Sequence, residues 1–300
     1  MKTKLRVLFG DAIILLVAFI WGSTNVVIRD ALTGLTPFWF CALRFLIAIP
    51  VLAICFRKRA VAMPVKARRS GVLLGVVLIC SYLSATVALL YTTAGNQSFF
   101  LSMPVVFVPL ATWFLTRKFP GWHIAAAVIL CTLGMIGLMV DENFRVNVGD
   151  ALCIVALGFL TGYILLVQKY VQDVDPCGLA CWQALGAMPP ALAAALLLEP
   201  FPGNIPAAAW GAVLYSATVG FGLTLVLQGF AQKYTTANHT AILLSMMSVF
   251  GSGLGILFLN EPMTWKIFIA SSLILAGVLT AEAVPVLRRA GKERAFSPEE

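Results

Sequence analysis

The chain has 300 residues, of which 60% are hydrophobic and 11% are charged, and its formal net charge is +8. Soluble globular domains carry about 25% charged residues, so this composition excludes a soluble catalytic domain and indicates a membrane protein. The excess of Lys and Arg is typical of cytoplasmic loops and does not predict nucleic acid as a partner.

Ten runs of about 20 mostly apolar residues fill the sequence, and each is long enough to cross the ~30 Å hydrocarbon core of a bilayer as a helix. We therefore predict an all-α membrane protein with ten transmembrane helices, whose partner along its whole length is the lipid bilayer. The predicted spans are 12–27, 38–56, 71–91, 97–115, 122–140, 151–168, 179–198, 209–230, 240–259 and 265–284.

The distribution of Lys and Arg predicts the orientation of these spans. Of the 21 Lys and Arg residues, 17 fall on one side, and only Arg29, Arg145 and Lys266 fall on the other, while Arg44 lies inside the second span. Because cytoplasmic loops hold the excess of positive residues, we predict that both termini are cytoplasmic. The expected location is a bacterial inner membrane, crossed many times.

The two halves of the sequence repeat each other. At one constant shift along the chain, Tyr91–Ala94 matches Tyr234–Ala237, Trp122 matches Trp265, and Gly134 matches Gly277. At a slightly smaller shift, nearer the start of each half, Pro37 and Pro50 match Pro176 and Pro189. We predict one five-helix repeat in residues 1–142, a second in residues 143–287, and a cytoplasmic tail in residues 288–300.

An odd number of spans per repeat turns the second repeat upside down in the membrane. Inverted repeats are typical of transporters, in which the substrate site lies near the midplane and access alternates between the two sides. Channels and scaffolds can also contain duplicated halves, so that interpretation stays open. We expect a monomer, because one chain already supplies both repeats.

Arg44 is the clearest ionisable residue inside a predicted span. It follows Pro37, at the outer end of that span, by seven residues, or roughly 10 Å at the rise of a helix. An ionisable group in the membrane is a functional candidate, and a guanidinium pairs with a carboxylate in a planar fork. Alternatively, Arg44 is structural and reaches the interface or pairs with Asp30, Glu261 or helix-end carbonyls.

Uncharged polar and aromatic side chains supply the other candidates for substrate binding. Trp21 and Tyr82 lie about ten residues, hence ~15 Å, from the cytoplasmic ends of their spans, deeper than interfacial aromatic belts. Either they line a pocket by stacking and cation–π contacts, or they pack between helices. The further candidates are Asn25, Asn96, Gln97, Ser98, Ser102, Tyr163, Gln228, His239 and Ser245. His239 could titrate near neutral pH or be a solvated residue at the mouth of a helix.

Prolines and glycines mark the positions where spans four and nine are expected to bend. Pro104 and Pro109 remove helix hydrogen bonds from the fourth span, whereas the matching ninth span contains Gly251 and Gly253. We predict that these four residues gate transport and that the two halves bend by different means. The small-residue pair Gly158-x-x-x-Gly162 predicts a close helix contact.

Acidic residues are absent from the middle of the first span, and those near the other spans lie at or close to span ends. An antiporter of protons and cations needs a carboxylate within the membrane, so we expect a facilitator or a weakly coupled carrier. We expect no catalytic residue, no cofactor and no metal site, since two His and seven Cys show no zinc-ligand spacing. A dinucleotide-binding site is not expected either, because its glycine fingerprint must follow a β-strand.

Several blocks resemble one family of membrane proteins. These are Phe19–Ser23 in the first span, Ala42–Phe45 in the second, and Leu259–Pro262 followed by Leu275–Leu279 near the end. With the ten-span plan, they resemble the EamA family of the drug/metabolite transporter superfamily over residues 10–285. Within that family the chain is most similar to bacterial exporters of amino acids, especially aromatic ones.

This resemblance implies a transporter that exports small amphipathic metabolites, with aromatic amino acids as the favoured substrates. The alternative is an efflux transporter for drugs and other toxic cations, although such a site would normally use a carboxylate. A binding or signalling scaffold is a third interpretation, disfavoured because the predicted cytoplasmic loops are short.

Overall fold

The computed structural model describes residues 2–92, 94–139, 148–259, 265 and 268–281. Within these ranges the ordered elements are all helical and no strand occurs. The predicted boundary between the repeats, the 288–300 tail, Arg145 and Glu261 lie outside the described residues.

Thirteen α-helices and one π-helical segment make up the described structure. The first six are α1 (Lys2–Ala31), α2 (Pro37–Ala62), α3 (Val65–Ala88), α4 (Ala94–Ser102), α5 (Pro104–Thr116) and α6 (Trp122–Met139). The next four are α7 (Val148–Tyr170), α8 (Pro176–Leu198), α9 (Ala207–Ala217) and α10 (Thr224–Ala231), with the π-helical segment Thr218–Leu223 joining the last two. The chain continues with α11 (Ala237–Leu244), α12 (Met246–Leu259) and α13 (Phe268–Ala281).

Seven helical stretches among the described residues are long and apolar enough to cross a membrane, and three shorter apolar helices accompany them. The shorter three are Phe100–Thr116, Trp122–Gly134 and Phe268–Ala281. Large apolar side chains cover the outer surface; for example, Ile54 is 85% exposed and Leu197 is 82% exposed. Such a surface is stable against lipid and would aggregate in water. The prediction of an all-helical membrane protein is confirmed at this level.

Helix starts follow local rules of sequence. Pro37, Pro104 and Pro176 each stand in the first turn of a helix, where a missing backbone N–H costs nothing. At the start of α8, the Asp175 carboxylate also accepts a hydrogen bond from the Gly178 N–H at 2.9 Å. This cap satisfies one of the free donors of the first turn.

The helices of the fourth and ninth predicted spans are broken at equivalent places. The chain turns at Met103 between α4 and α5, immediately before Pro104, and at Ser245 between α11 and α12. In the second break no proline is present, and the Ser245 and Ser248 hydroxyls donate to the Ile242 and Ser245 carbonyls at 2.6 and 2.7 Å. Pro109 lies inside α5.

The antiparallel pair α2 and α8 forms the most extensive helix contact among the described residues. At one end, the Glu199 carboxylate accepts hydrogen bonds from the Phe38 and Trp39 N–H groups, both at 3.1 Å to Oε2. At the other end, the Trp182 indole N–H donates to the Ala60 carbonyl at 3.0 Å. A carboxylate on free N–H groups at a helix start is stabilising, since it also meets the positive end of the helix dipole.

Glycines allow the closest helix contacts. A Cβ built on Gly186 of α8 would collide with the Val72 backbone of α3, and one on Gly134 of α6 would lie 2.6 Å from the Ala270 carbonyl of α13. By contrast, no described atom lies within 4 Å of a Cβ at Gly158 or Gly162. The predicted seam at that pair is therefore wrong for the described structure, because small residues permit a contact without requiring one.

Candidate functional site

A cavity with about 540 Å³ of empty space lies between α1, α2, α3 and α4, and it is bounded below by α7, the π-helical segment and α12. Its polar lining comes from Trp21, Thr24, Asn25, Arg44, Ser81, Tyr82, Thr86 and Gln97. Ile28, Leu101, Leu160 and Met247 supply much of the apolar lining. The distribution of Lys and Arg predicts which end of each helix faces outward. Most of the lining residues lie in that outer half of their helix.

The cavity is narrow as it stands. Its free space has room for only a few water molecules. A ligand as large as an amino acid would therefore require the surrounding helices to move apart. This geometry is that of a closed or nearly closed site.

Arg44 is the central polar group of the cavity. Its side chain is only 3% exposed, and its Nε and Nη2 atoms have no hydrogen-bond partner among the described residues. The guanidinium carbon lies 5.0 Å from the ring centroid of Tyr82 and 5.1 Å from that of Phe40. Cation–π contacts offset part of the cost of burying the charge, but they leave the N–H donors of the fork unused.

An aromatic wall supports Arg44. The Phe221 ring packs edge-on against Phe45, with centroids 4.6 Å apart, and against Tyr82 at 6.1 Å. Phe45 and Phe221 are fully buried, whereas Tyr82 is half-buried and reaches the cavity. The wall fixes the Tyr82 ring beneath the guanidinium and gives the cavity an apolar, polarisable face.

Trp21 both lines the cavity and makes a structural hydrogen bond. Its indole N–H points at the Gly220 carbonyl and at the Thr224 hydroxyl, each at 3.2 Å. Gly220 lies in the π-helical segment Thr218–Leu223, a rare helix form that commonly occurs at functional sites. The pocket and packing interpretations of Trp21 therefore both apply.

Amide side chains complete the upper part of the site. The Asn25 amide donates to the Ser98 hydroxyl at 3.1 Å, and the Ser102 hydroxyl donates to the Ser98 carbonyl at 2.7 Å. The Gln97 amide donates to the Ala85 carbonyl, while its Oε1 atom is buried without a partner. The cavity thus offers the cation of Arg44 together with neutral amide and hydroxyl groups, and no carboxylate among its described lining side chains.

Other predicted site residues lie away from this cavity. The Tyr163 hydroxyl donates to Gln183 Oε1 at 3.0 Å in the core, and the Ser245 hydroxyl is used at the break before α12. Gln228 is fully buried on α10, and neither its Nε2 nor its Oε1 has a partner among the described residues. His239 borders a surface groove at the predicted cytoplasmic end. Asn96 lies on α4, and its side chain is outside the described part of the structure.

The candidate gating residues occupy different surroundings. Pro104 begins α5 directly after the break, and Pro109 is buried within the same helix. A Cβ added to Gly251 would lie 3.0 Å from Ser98 Oγ, so this glycine packs closely against a residue next to the site. A Cβ added to Gly253 would have no described atom within 4 Å. Gly251 and Gly253 thus lie within a continuous α12.

Three glutamines form hydrogen bonds near the predicted cytoplasmic end. The Gln168 and Gln172 side chains, near the end of α7, both donate to the Gln232 carbonyl, at 3.3 and 3.0 Å. Gln232 in turn donates to the Ile164 carbonyl at 3.4 Å and is fully buried. We call these three residues the glutamine cluster. It joins the inner ends of α7 and α10.

Charged ligands for a metal ion are not grouped in the described residues: no three His, Cys, Asp or Glu side chains come close enough to hold one. The lining of the cavity offers one positive charge, hydrogen-bonding groups and aromatic rings.

Comparison with known proteins identifies the family. The sequence matches the profile of the EamA-like transporter family over residues 8–140 and over residues 147–281. The chain belongs to this family.

Two relatives of this EamA protein come from Archaeoglobus fulgidus, and each is described as an uncharacterized transporter. One is 29% identical over 278 residues, which cover 91% of this chain and 85% of the relative. The other is 28% identical over 282 residues, which cover 89% of this chain and 95% of the relative. This EamA protein is therefore a multi-pass membrane transporter, which implies a small-molecule substrate and a lipid bilayer around it.

A solved crystal structure has the same fold as this EamA protein. It superposes with a TM-score of 0.76 at 17% sequence identity, over 91% of this chain and 97% of that chain. At this identity the likeness concerns the fold alone.

Several residues that line the cavity of this EamA protein could not be singled out as substrate contacts from the sequence. Thr24 lies one helical turn after Trp21, so helical spacing could have found it. Gly220 contributes through a carbonyl that the π-helix presents, and Leu160 and Met247 look like any other core residue. Periodicity does not distinguish an apolar cavity wall from an apolar core.

Proposed function

We propose that this protein exports small amphipathic metabolites by alternating access, with amino acids, and aromatic ones above all, as the favoured substrates. One observation carries the proposal: the buried, unpaired guanidinium of Arg44 faces a cavity whose other walls are polar amides and aromatic rings. A substrate carboxylate would occupy the free donors of Arg44, and its side chain would lie against the aromatic wall.

The proposed mechanism requires two inverted five-helix halves, residues 1–142 and 143–287, with ten spans and cytoplasmic termini. Antiparallel contacts between equivalent helices support it. In α2 and α8, Phe38 meets Glu199 while Ala60 meets Trp182. Residue numbers thus increase along α2 in the direction in which they decrease along α8, so these two helices are antiparallel.

The contact between α6 and α13 supports the same symmetry in more detail. A Cβ on Gly134 would meet the backbones of Ala270 and Ile274, and a Cβ on Gly277 would meet those of Ala127 and Cys131. The same constant shift that relates Tyr91 to Tyr234 carries Ala127 onto Ala270, Cys131 onto Ile274 and Gly134 onto Gly277. The contact maps onto itself when the halves are exchanged, as a two-fold axis in the membrane plane demands.

The second half places a neutral residue at the position equivalent to Arg44. Gln183 stands at the position equivalent to Arg44 under the shift that carries Pro37 onto Pro176, and it accepts the hydrogen bond of Tyr163. The glutamine cluster joins the inner ends of α7 and α10. In the proposed cycle, the cluster separates when the cavity opens to the cytoplasm.

Transport is proposed to be facilitated or only weakly coupled to protons. No Asp or Glu lines the cavity among the described residues, so the site offers no carboxylate that a proton and a substrate could share. Flux from proteoliposomes should therefore persist without an imposed pH gradient. A strict requirement for such a gradient would contradict this part of the proposal.

Counterflow in proteoliposomes tests the substrate class. Vesicles loaded with phenylalanine, threonine or a quaternary ammonium ion are diluted into trace amounts of the same labelled compound, with protein-free vesicles as the control. We expect exchange of phenylalanine above that of threonine. Exchange of the quaternary cation alone would favour the drug and toxic-cation alternative, and exchange of none would favour a different metabolite or a scaffold.

The proposal also places a monomer in a bacterial inner membrane. One chain contributes both sides of the cavity, since Trp21 and Arg44 come from the first half and Leu160, Gly220 and Met247 from the second. A second copy is thus not needed to complete the site.

A further inference from the structure

The charge of the cavity points to a narrower class of substrate. We propose that the transported species is a monoanionic amphipathic carboxylate, and that the inside-negative membrane potential drives its export without a coupling ion. This inference rests on the alternating-access export proposed above and concerns the same site, but it places carboxylates without an ammonium group ahead of the zwitterionic amino acids. It can fail while the proposed export of amino acids stands.

The first step concerns the net charge of the site. Arg44 is the one charged side chain that lines the cavity among the described residues, and it is 3% exposed with two donor nitrogens unpaired. A bound monoanion would cancel this charge and satisfy those donors. A bound zwitterion would bring a net charge of zero and leave the site cationic in a low-dielectric surrounding.

The second step concerns the ammonium group of an amino acid. A buried ammonium needs a carboxylate or several strong acceptors around it. The described cavity presents no carboxylate; its acceptors are neutral amide, hydroxyl and carbonyl oxygens, of which Gln97 Oε1 is buried without a partner. Removing the ammonium therefore removes a desolvation cost that no carboxylate of the described cavity offsets.

The third step concerns the rest of the substrate. Leu101, Leu160 and Met247 also line the cavity, and the Tyr82 ring lies against the guanidinium. These contacts suit an apolar or aromatic tail next to the carboxylate. A small dicarboxylate would place its second charge against apolar carbon and is excluded on the same ground.

The fourth step is energetic. Each monoanion that leaves the cell carries one negative charge down the inside-negative potential, whatever step of the cycle moves the charge. One charge is worth ~2.3 kcal/mol per 100 mV, which corresponds to an outside-to-inside ratio of about 50-fold. An exporter with this substrate needs no carboxylate relay in the membrane, in agreement with the acid-free lining of the described cavity.

Three probes that share one carbon skeleton test the inference: phenyllactate (an anion), phenylalanine (a zwitterion) and phenethylamine (a cation). Each is trapped in proteoliposomes, and efflux is followed while potassium gradients with valinomycin set potentials of zero or 100 mV, negative inside. We expect phenyllactate efflux at least ten-fold above that of phenylalanine, and a several-fold acceleration by the negative potential. Protein-free vesicles correct for passive leakage.

The outcomes separate this inference from the proposed function. Phenylalanine efflux equal to or above that of phenyllactate, without acceleration by the potential, overturns the inference and leaves the proposed export of amino acids standing. Efflux of phenethylamine alone, or of none of the three, overturns both. Phenyllactate efflux that ignores the potential overturns the proposed driving force and with it the inference as stated.

Variants of Arg44 link the effect to the site. Arg44→Gln should lose at least ten-fold of the phenyllactate efflux, and Arg44→Lys should retain part of it because the charge remains while the planar fork is lost. The matched control is Arg69→Gln, since Arg69 is exposed at the start of α3. Unchanged phenyllactate efflux in folded Arg44→Gln contradicts the assignment. The potential dependence of the unmodified protein tests the inference even if that variant fails to fold.

Discussion

At the scale of single residues, Trp21 shows how one side chain can serve the fold and the site together. Its ring borders the cavity, while its N–H binds a carbonyl and a hydroxyl of the second half of the chain, at Gly220 and Thr224. Trp21 thereby joins α1 to the π-helical segment. A movement of one relative to the other would change the wall of the cavity directly.

Replacing Trp21 by Phe tests this double role. The Trp21→Phe variant keeps an aromatic wall but loses the hydrogen bonds, so we expect about 1 kcal/mol less stability and a several-fold lower transport rate. Melting temperature in detergent and counterflow measure the two effects. Trp210→Phe is the control, because Trp210 is 41% exposed at the start of α9 and away from the cavity. Equal behaviour of the two variants would contradict the role given to Trp21.

The sequence made Arg44 and Trp21 visible because charge and large aromatic rings are unusual deep in a membrane. It did not separate Gln97, which lines the cavity, from Tyr163 and Ser245, which hydrogen-bond within the core. All three are polar residues on apolar helices. Their neighbours come from distant parts of the chain, so only the packing of the helices distinguishes them.

At the scale of helices, hydrophobic length predicted the elements well, because each helix in lipid must satisfy its own backbone hydrogen bonds. The break before Pro104 was predictable from the proline, but the corresponding break at Ser245 was not, since the serine hydroxyls that donate to carbonyls there are common inside helices. The π-helical segment at Thr218–Leu223 also leaves no clear pattern in the sequence.

Two glycines with the same sequence appearance should respond differently to the same substitution. Gly186→Ala would push a methyl group into the Val72 backbone, so we expect a loss of about 1–3 kcal/mol and a lower melting temperature. Gly162→Ala meets no described atom and should be neutral, or stabilising by up to ~1 kcal/mol, because alanine favours a helix. Thermal unfolding of the purified variants in one detergent measures both effects. A lower melting temperature for Gly162→Ala than for Gly186→Ala would exclude the close contact between α3 and α8.

At the scale of the whole molecule, the repeat explains features that single helices leave unexplained. The constant shift between Tyr91–Ala94 and Tyr234–Ala237 also relates the glycine contacts of α6 and α13. The proposed symmetry follows from this repeat, which is visible in the sequence. The two halves differ at one equivalent position, which is Arg44 in the first half and Gln183 in the second. The charge of the described cavity therefore comes from the first half alone.

Labelling of single cysteines tests the predicted inversion. In a variant without the seven native cysteines, Tyr91→Cys should react with an impermeant maleimide from outside intact cells, and Lys233→Cys should react only after the membrane is opened. Tyr91 is the first residue of one copy of the repeated Tyr-Thr-Thr-Ala block, and Lys233 directly precedes the other copy. Reaction of both from the same side would exclude the inverted arrangement and the alternating pathway built on it.

The fastening of α2 to α8 at both of its ends has a practical consequence. Glu199 holds the start of α2, and Trp182 holds its last turn, so this pair can turn as one piece but its ends cannot part without breaking those bonds. Fluorophores placed at the two ends of the α2–α8 pair should therefore keep a fixed separation through the transport cycle. That fixed distance would be an internal standard for calibrating the movement of dyes on α1 or α12 in single-molecule measurements.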